Sequence, residues 1–344
     1  WIRFIPLSVF LTLPLLGIGL SYLTNAKNRL VKNYYLYVIS AVIILSSVFL
    51  LFNSPKIFLD PPKKQIELIK EFNLPLNIMT TQDITGYAFY SLVPSKMGID
   101  AQDDVFDENE LISIFSISLN PSIVNKQLLN SIVEQNNIGT VLINKNLGNL
   151  TLGFNQEDDW ALIYFDDNGF LFSKIDFLDR EFLQENEIKY LNLRRSLGFN
   201  PEEATPAAKE LEKFTKKYPQ SYLALGQLST EYRILGQFDK AEQALGKIPK
   251  NKWNYITMTE MARLQAAQGY CKSSEYWFLK ALKDRKEQNF SRAVLDLAVL
   301  YAGCLNDKEK AKHYFDRYNS FQLSSAEREK ATRIAEDFGI KIEE

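Results

Sequence analysis

Six carboxylates crowd into seventeen residues, PSKMGIDAQDDVFDENE (94–110): Asp100, Asp103, Asp104, Asp107, Glu108 and Glu110, against one base, Lys96. Acids at this density suit a hard cation or an acid–base pair, but the D-x-[DN]-x-[DN]-G order of a calcium loop is missing. Asp107-x-x-Glu110 instead fits a helix N-terminus, where a cap and first-turn acids meet the positive end of the dipole. Asp100, Asp103 and Asp104 remain. They follow an expected strand, where α/β domains place ligands, and are candidates for ion or sugar contact, with a solvated loop as the alternative.

Other chemistry-bearing residues are few. The one histidine, His313, sits in a charged helical context, KAKHYFDR, so a multi-histidine zinc site is excluded and a Ser-His-Asp triad has no plausible base. Cys271 and Cys304 lack CxxC spacing, which removes a metal knuckle. Neither GxGxxG nor GxxxxGK[ST] occurs, so no nucleotide site is expected; no metal or cofactor is assigned.

The elements that must position these residues begin with two apolar runs. Residues 4–20 and 34–52 carry no charge and approach the ~20 residues of a bilayer-spanning helix, although Pro6 and Pro14 interrupt the first. Tyr34, Tyr35 and Tyr37 suit an interfacial belt, and Lys27, Arg29 and Lys32 between the runs favour the cytoplasmic side. Residues after about 54 are then extracytoplasmic, although Lys56, Lys63 and Lys64 weaken the charge contrast. A signal peptide is disfavoured because two runs follow each other without a cleavage pattern. The chain starts at Trp1 and reads as the end of a longer polypeptide or as a processed product. Its 40 Lys+Arg against 42 Asp+Glu create no field for nucleic acid.

Residues 55–180 read as a small α/β domain. A short helix over PPKKQIELIKEF presents Ile66, Ile69 and Phe72; LNIMTT (76–81), MGIDA and GTVLIN (139–144) are strands, with helices through ITGYAFYSLV and from Pro121 to Val133. ALIYFD and FLFSKI flank Asp167-Asn168-Gly169, a hairpin turn. A compact three-layer fold with a mixed sheet follows.

GYAFYSLVPSKMGIDAQDDVF resembles a segment of the extracytoplasmic domains of GT-C-like membrane proteins, a class that includes lipid-linked-sugar glycosyltransferases. WALIYFDDNGFLFSK is similar to their closing hairpin, and IRFIPLSVFLTLPLL to a late membrane helix. Gly86, Pro94, Lys96, Asp100 and Trp160 fall on the pattern, whereas Ala101, Gln102 and Phe106 depart from its Gly-Arg and Tyr. The resemblance covers roughly residues 2–175 and implies an accessory extracytoplasmic domain, with the catalytic acid in an upstream loop outside this chain.

From 183 to 344 a helical beat takes over. Four triads recur at spacings of 34, 33 and 37: Ala207, Leu211, Phe214; Ala241, Leu245, Ile248; Ser274, Phe278, Ala281; Ala311, Phe315, Tyr318. Gly236 and Gly269 each lie five residues before the next triad, at the inter-helix turn, and Leu228 with Tyr232 and Met261 with Leu264 mark the preceding helices. The pattern resembles tetratricopeptide repeats, which implies a concave face for a peptide or protein. Arg194, Arg195, Arg233 and Arg263 are its candidate contacts, with solvated surface residues as the alternative. Cys271 and Cys304 flank consecutive turns, where they either join as a disulfide or stay buried thiols. Ser324-x-x-Glu327 is a capping box opening a final helix to about Phe338.

The expected fold class is thus two transmembrane helices, an α/β domain with a mixed sheet and closing hairpin, and a tetratricopeptide-like α-solenoid. The expected function is the extracytoplasmic end of an integral membrane glycosyltransferase-type protein, with partners in the bilayer, a lipid-linked sugar, and an acceptor glycan or protein. An O-antigen-ligase-like protein leaves the α/β domain unexplained. The alternative is a membrane-anchored, non-catalytic scaffold whose repeats recruit proteins.

Overall fold

The structure is a computed structural model. It describes residues 62–80, 126–144, 158–191, 201–283, 291–321 and 323–342, with residues 87, 88, 91, 92 and 154. Among these, eleven α-helices and one four-stranded mixed sheet form a single unit beginning at Pro61.

The membrane part of the expected fold class is corrected: among the described residues, no helix is long and apolar enough to cross a membrane. The apolar runs 4–20 and 34–52, on which that expectation rested, lie outside the described residues.

Helix α1 (Lys63–Glu71) buries Ile66 and Ile69 at the i, i+3 spacing of one face, with Phe72 packing next in line, and buries Leu68 beside them. Strand β1 (Ile78–Thr80) pairs in parallel with β2 (Thr140–Asn144), and α2 (Lys126–Gln135) precedes β2. Strands β3 (Trp160–Phe165) and β4 (Gly169–Lys174) form the hairpin expected around Asp167-Asn168-Gly169, and β4 also pairs with β2. The strand order is therefore β1-β2-β4-β3. The expected strand at MGIDA falls outside the described residues.

All of β2 and β3, and β4 as far as Ser173, are buried. Strands covered on both faces read as continuous apolar runs rather than alternating ones, as TVLIN and WALIYF do. Gly169 is required by close approach: a Cβ there would sit 2.2 Å from the Ile143 carbonyl oxygen across the sheet.

After α3 (Arg180–Asn186), helix α4 (Pro201–Lys217) covers the hairpin. Phe214 stacks on Phe165 at 5.0 Å between centroids, and Tyr218 meets Tyr164 edge-on at 4.9 Å. These rings join the sheet to the helical array in one continuous core.

The array then alternates first and second helices: α5 (Tyr222–Ile234) with α6 (Phe238–Gly246), α7 (Tyr255–Ala267) with α8 (Cys271–Ala281), and α9 (Ser291–Gly303) with α10 (Lys308–Asn319), closed by α11 (Ser325–Asp337). All twelve residues of the four triads are buried, on α4, α6, α8 and α10 or, for Ile248, just past α6. Gly236 and Gly269 hold φ of 70° and 80° at the turns, and Asn306 at 54° serves the third. Ser274 donates to the Ala262 carbonyl at 2.8 Å, so small residues let α8 approach α7 closely.

First helices contact both their own second helix and the next first helix: α5 meets α6 and α7, and α7 meets α8 and α9. They are accordingly apolar nearly all round. In α9, Ala293, Val294, Leu295, Leu297, Ala298, Leu300, Tyr301 and Ala302 are buried. The capping box forms as expected, with Ser324 and Glu327 exchanging hydrogen bonds at the start of α11.

Candidate functional site

Across the row of first helices, one line of residues carries the charged side chains that link neighbouring helices. On α5 it consists of Gly226, Thr230 and Arg233, on α7 of Ile256, Glu260 and Arg263, and on α9 of Arg292, Asp296 and Val299. Each set follows the i, i+4, i+7 spacing that keeps residues on one side of a helix.

An ion network laces this face. Glu260 is 6 % exposed and receives Arg263 Nη1 on Oε1 and Arg233 Nη2 on Oε2 at 3.4 Å. Arg263 turns its other edge to the next helix, where Nε donates to Asp296 Oδ2 at 2.7 Å. One guanidinium thus spans α7 and α9, and one carboxylate spans α5 and α7.

Burial pushes the Glu260 carboxyl up, but Arg263, then Arg233, and hydrogen bonds from Arg263 and Thr230 overcome it and hold the pKa at about 2. For Arg263, burial opposes the charge while Asp296 and Glu260 more than restore it, so its pKa is raised. Arg292 is lowered, by burial first and then by Arg263, against the pull of Asp296 and Glu260.

Arg233 and Arg263, expected as partner contacts, therefore lie on the first helices and are engaged within the chain. Arg194 and Arg195 lie outside the described residues, as do Asp100, Asp103 and Asp104. The glutamate and aspartate that complete the network carry no local signature. The available signal was Glu260-x-x-Arg263 on one helix with Asp296 near the equivalent place on the next. Among the described residues, no group of three His, Cys, Asp or Glu side chains converges to hold a metal.

Gly226 is itself buried in α5. A Cβ there would meet nothing within 4 Å, so the first helix of the row leaves unfilled space beside the network. Ile256, 45 % exposed, is the apolar residue of the same face on α7.

Cys271 and Cys304 form a disulfide, with Cα atoms 5.9 Å apart. It ties the start of α8 to the end of α9, stapling consecutive hairpins at one edge. Beside it, two shallow depressions of about 640 and 590 Å³ flank Tyr270, whose ring is 60 % exposed.

At the junction of sheet and array, Asp166 lies buried in the hairpin turn. It accepts from Gln65 at 2.7 Å, from the Tyr164 hydroxyl at 3.1 Å and from the Asn168 backbone N–H at 2.8 Å. Burial, then the Asp166 charge, raises the Tyr164 pKa, so the phenol stays a donor. These bonds complete the turn and involve no reactive pair. Comparison with family models, with curated proteins and with solved structures finds no match to this chain.

Proposed function

We propose that the chain is a non-catalytic interaction module: a tetratricopeptide-like array whose first-helix face receives a peptide or protein segment, mounted rigidly on a small α/β domain. The observation that carries this proposal is the ion-laced row of α5, α7 and α9, stiff because Glu260 and Asp296 bind arginines across neighbouring helices. A rigid face loses little entropy when a partner binds. The space at Gly226 admits a side chain, and Ile256 offers an apolar contact.

The module works on the extracytoplasmic side in this proposal. Support comes from the Cys271–Cys304 disulfide, since such bonds persist in oxidising compartments and are rare in the cytosol. A wider role, as the platform of a GT-C-like glycosyltransferase using a lipid-linked sugar, draws on the hairpin opened by Trp160, in which β3 pairs antiparallel with β4. The described residues add nothing else to it, and the interaction role is the one adopted.

The test is site-specific photo-crosslinking in the cells that make the protein, with the reactive group at Ile256 on the first-helix face or at exposed Glu242 on α6. A discrete adduct from position 256, absent from 242 and lost when Gly226→Trp fills the face, is the expected result. Equal adducts from both positions, or none from 256, would sink the proposal.

A further inference from the structure

A second surface, built by residues 247–253 and helix α8, is basic and aromatic. Residues 247–252 (KIPKNK) and 276–283 (YWFLKALK) contribute five exposed lysines, Lys247, Lys250, Lys252, Lys280 and Lys283. Neither segment contains an acid, in a chain of net charge −2. None of the five lysines takes part in an ion pair among the described residues.

Contacts between aromatic rings and ammonium groups make the two segments one patch. Trp253 and Trp277 meet at 4.9 Å between centroids, and Tyr276 packs edge-on against Trp277 at 5.3 Å. Lys250 Nζ lies 3.5 Å from the Trp253 ring centre and 5.9 Å from that of Trp277; Lys280 Nζ lies 4.7 Å from Trp277 and 5.7 Å from Tyr276. Cation–π attraction holds these ammonium groups in place, so less side-chain entropy is lost when an anion binds them. Both tryptophans also pack against the two apolar cores on either side, which anchors the patch to the array.

We propose that this patch docks the array on an anionic lipid bilayer. Clustered lysines beside tryptophan and tyrosine match the negative headgroup layer and its interfacial zone. A single-stranded nucleic acid fits less well: it needs free ring faces for base stacking, whereas Lys250 and Lys280 already cover the indoles, and the Trp253 N–H is spent on the Ile248 carbonyl at 2.9 Å. An acidic protein segment is better met by arginine forks than by five point charges. Tyr276, 57 % exposed, is the ring left to enter the headgroup region.

The experiment uses the full chain captured on beads and fluorescent vesicles of phosphatidylcholine, with or without phosphatidylglycerol. Binding by an apolar segment elsewhere would retain both kinds, so the readout is the ratio of anionic to neutral vesicles retained. A ratio well above one that collapses in high salt is expected. Lys250→Gln/Lys252→Gln/Lys280→Gln, which keeps every aromatic ring, should lower the ratio by roughly fivefold per lysine. The charge-matched control Lys209→Gln/Lys216→Gln/Lys341→Gln, exposed lysines elsewhere, should leave it unchanged. Equal retention of both vesicles, equal loss in both triple variants, or displacement of vesicles by a single-stranded oligonucleotide at comparable phosphate concentration would each overturn the proposal.

Discussion

The Asp167 side chain, at the tip of the β3–β4 hairpin, accepts a hydrogen bond from the backbone N–H of Tyr222 at 2.9 Å, across 55 residues of chain. The same oxygen accepts from Leu223 at 3.2 Å, and Ser221 covers Ala224 while donating to the Phe165 carbonyl at 2.9 Å. The exposed N–H groups that open any helix are thus satisfied at α5 largely by the sheet. This bond ties the start of α5 to the hairpin, beside the ring contacts that α4 makes with the same strands.

Replacing that carboxylate should loosen the start of α5. Asp167→Ala is expected to cost about 1–2 kcal/mol, the range for losing a helix N-cap with a charge on the dipole. Urea unfolding gives the magnitude, and amide exchange at Tyr222 and Leu223 gives the location. Unchanged protection at both amides would rule the cap out.

Glu260 makes stability depend on pH. Its folded pKa of about 2 lies below the ordinary 4.5, so the unfolded chain takes up its proton first. The stabilisation is complete above about 4.5 and is lost as pH falls from there toward 2. Glu260→Gln should flatten that part of the urea-midpoint profile. At neutral pH it should cost roughly 3 kcal/mol, because Arg233 and Arg263 are left buried without their shared carboxylate.

The disulfide closes a separation of 33 residues. Loop-closure entropy for that length corresponds to about 3–4 kcal/mol. Cys271→Ser/Cys304→Ser should lower stability by an amount of that order in denaturant titrations, and reductant should destabilise the parent but not the variant. A non-reducing gel of protein alkylated directly in intact cells checks that the bond exists where the protein works.

Gly226 lies inside α5 with ordinary helical backbone, and nothing stands within 4 Å of the place an alanine methyl group would take. Gly226→Ala should therefore stabilise the array, by about 0.5–1 kcal/mol through reduced freedom of the unfolded chain. Gly169→Ala makes the contrast, since its methyl group would strike the Ile143 carbonyl. Thermal unfolding that ranks the two variants in the opposite order would contradict both placements.

Much of the fold was legible because its signals are local. The turn at Asp167-Asn168-Gly169, the capping box at Ser324 and Glu327, and the triads at i, i+4, i+7 lie within one turn or one helix face, where spacing alone decides which residues meet. The cysteine pair was legible as one of two outcomes, because both residues flank consecutive inter-helix turns.

The expectation of membrane helices shows the opposite case: it drew on length and apolarity at residues 4–20 and 34–52, outside the described residues, and none of the described helices shares that character. The candidate site was half legible. Arg233 and Arg263 were readable as first-helix residues, but not what they bind.

The sequence by itself determined the hairpin turn at Asp167-Asn168-Gly169, the capping box of Ser324 and Glu327 and the buried triads, since periodicity and capping act over a few residues. Only the tertiary structure decided the strand order β1-β2-β4-β3, the Asp167 cap on α5, and the pairings of Glu260 with Arg233 and of Arg263 with Asp296. Those relationships join residues that are neighbours only after the chain has closed its loops. A buried charge is stable only where an opposite charge from another helix arrives, and no local spacing encodes that arrival.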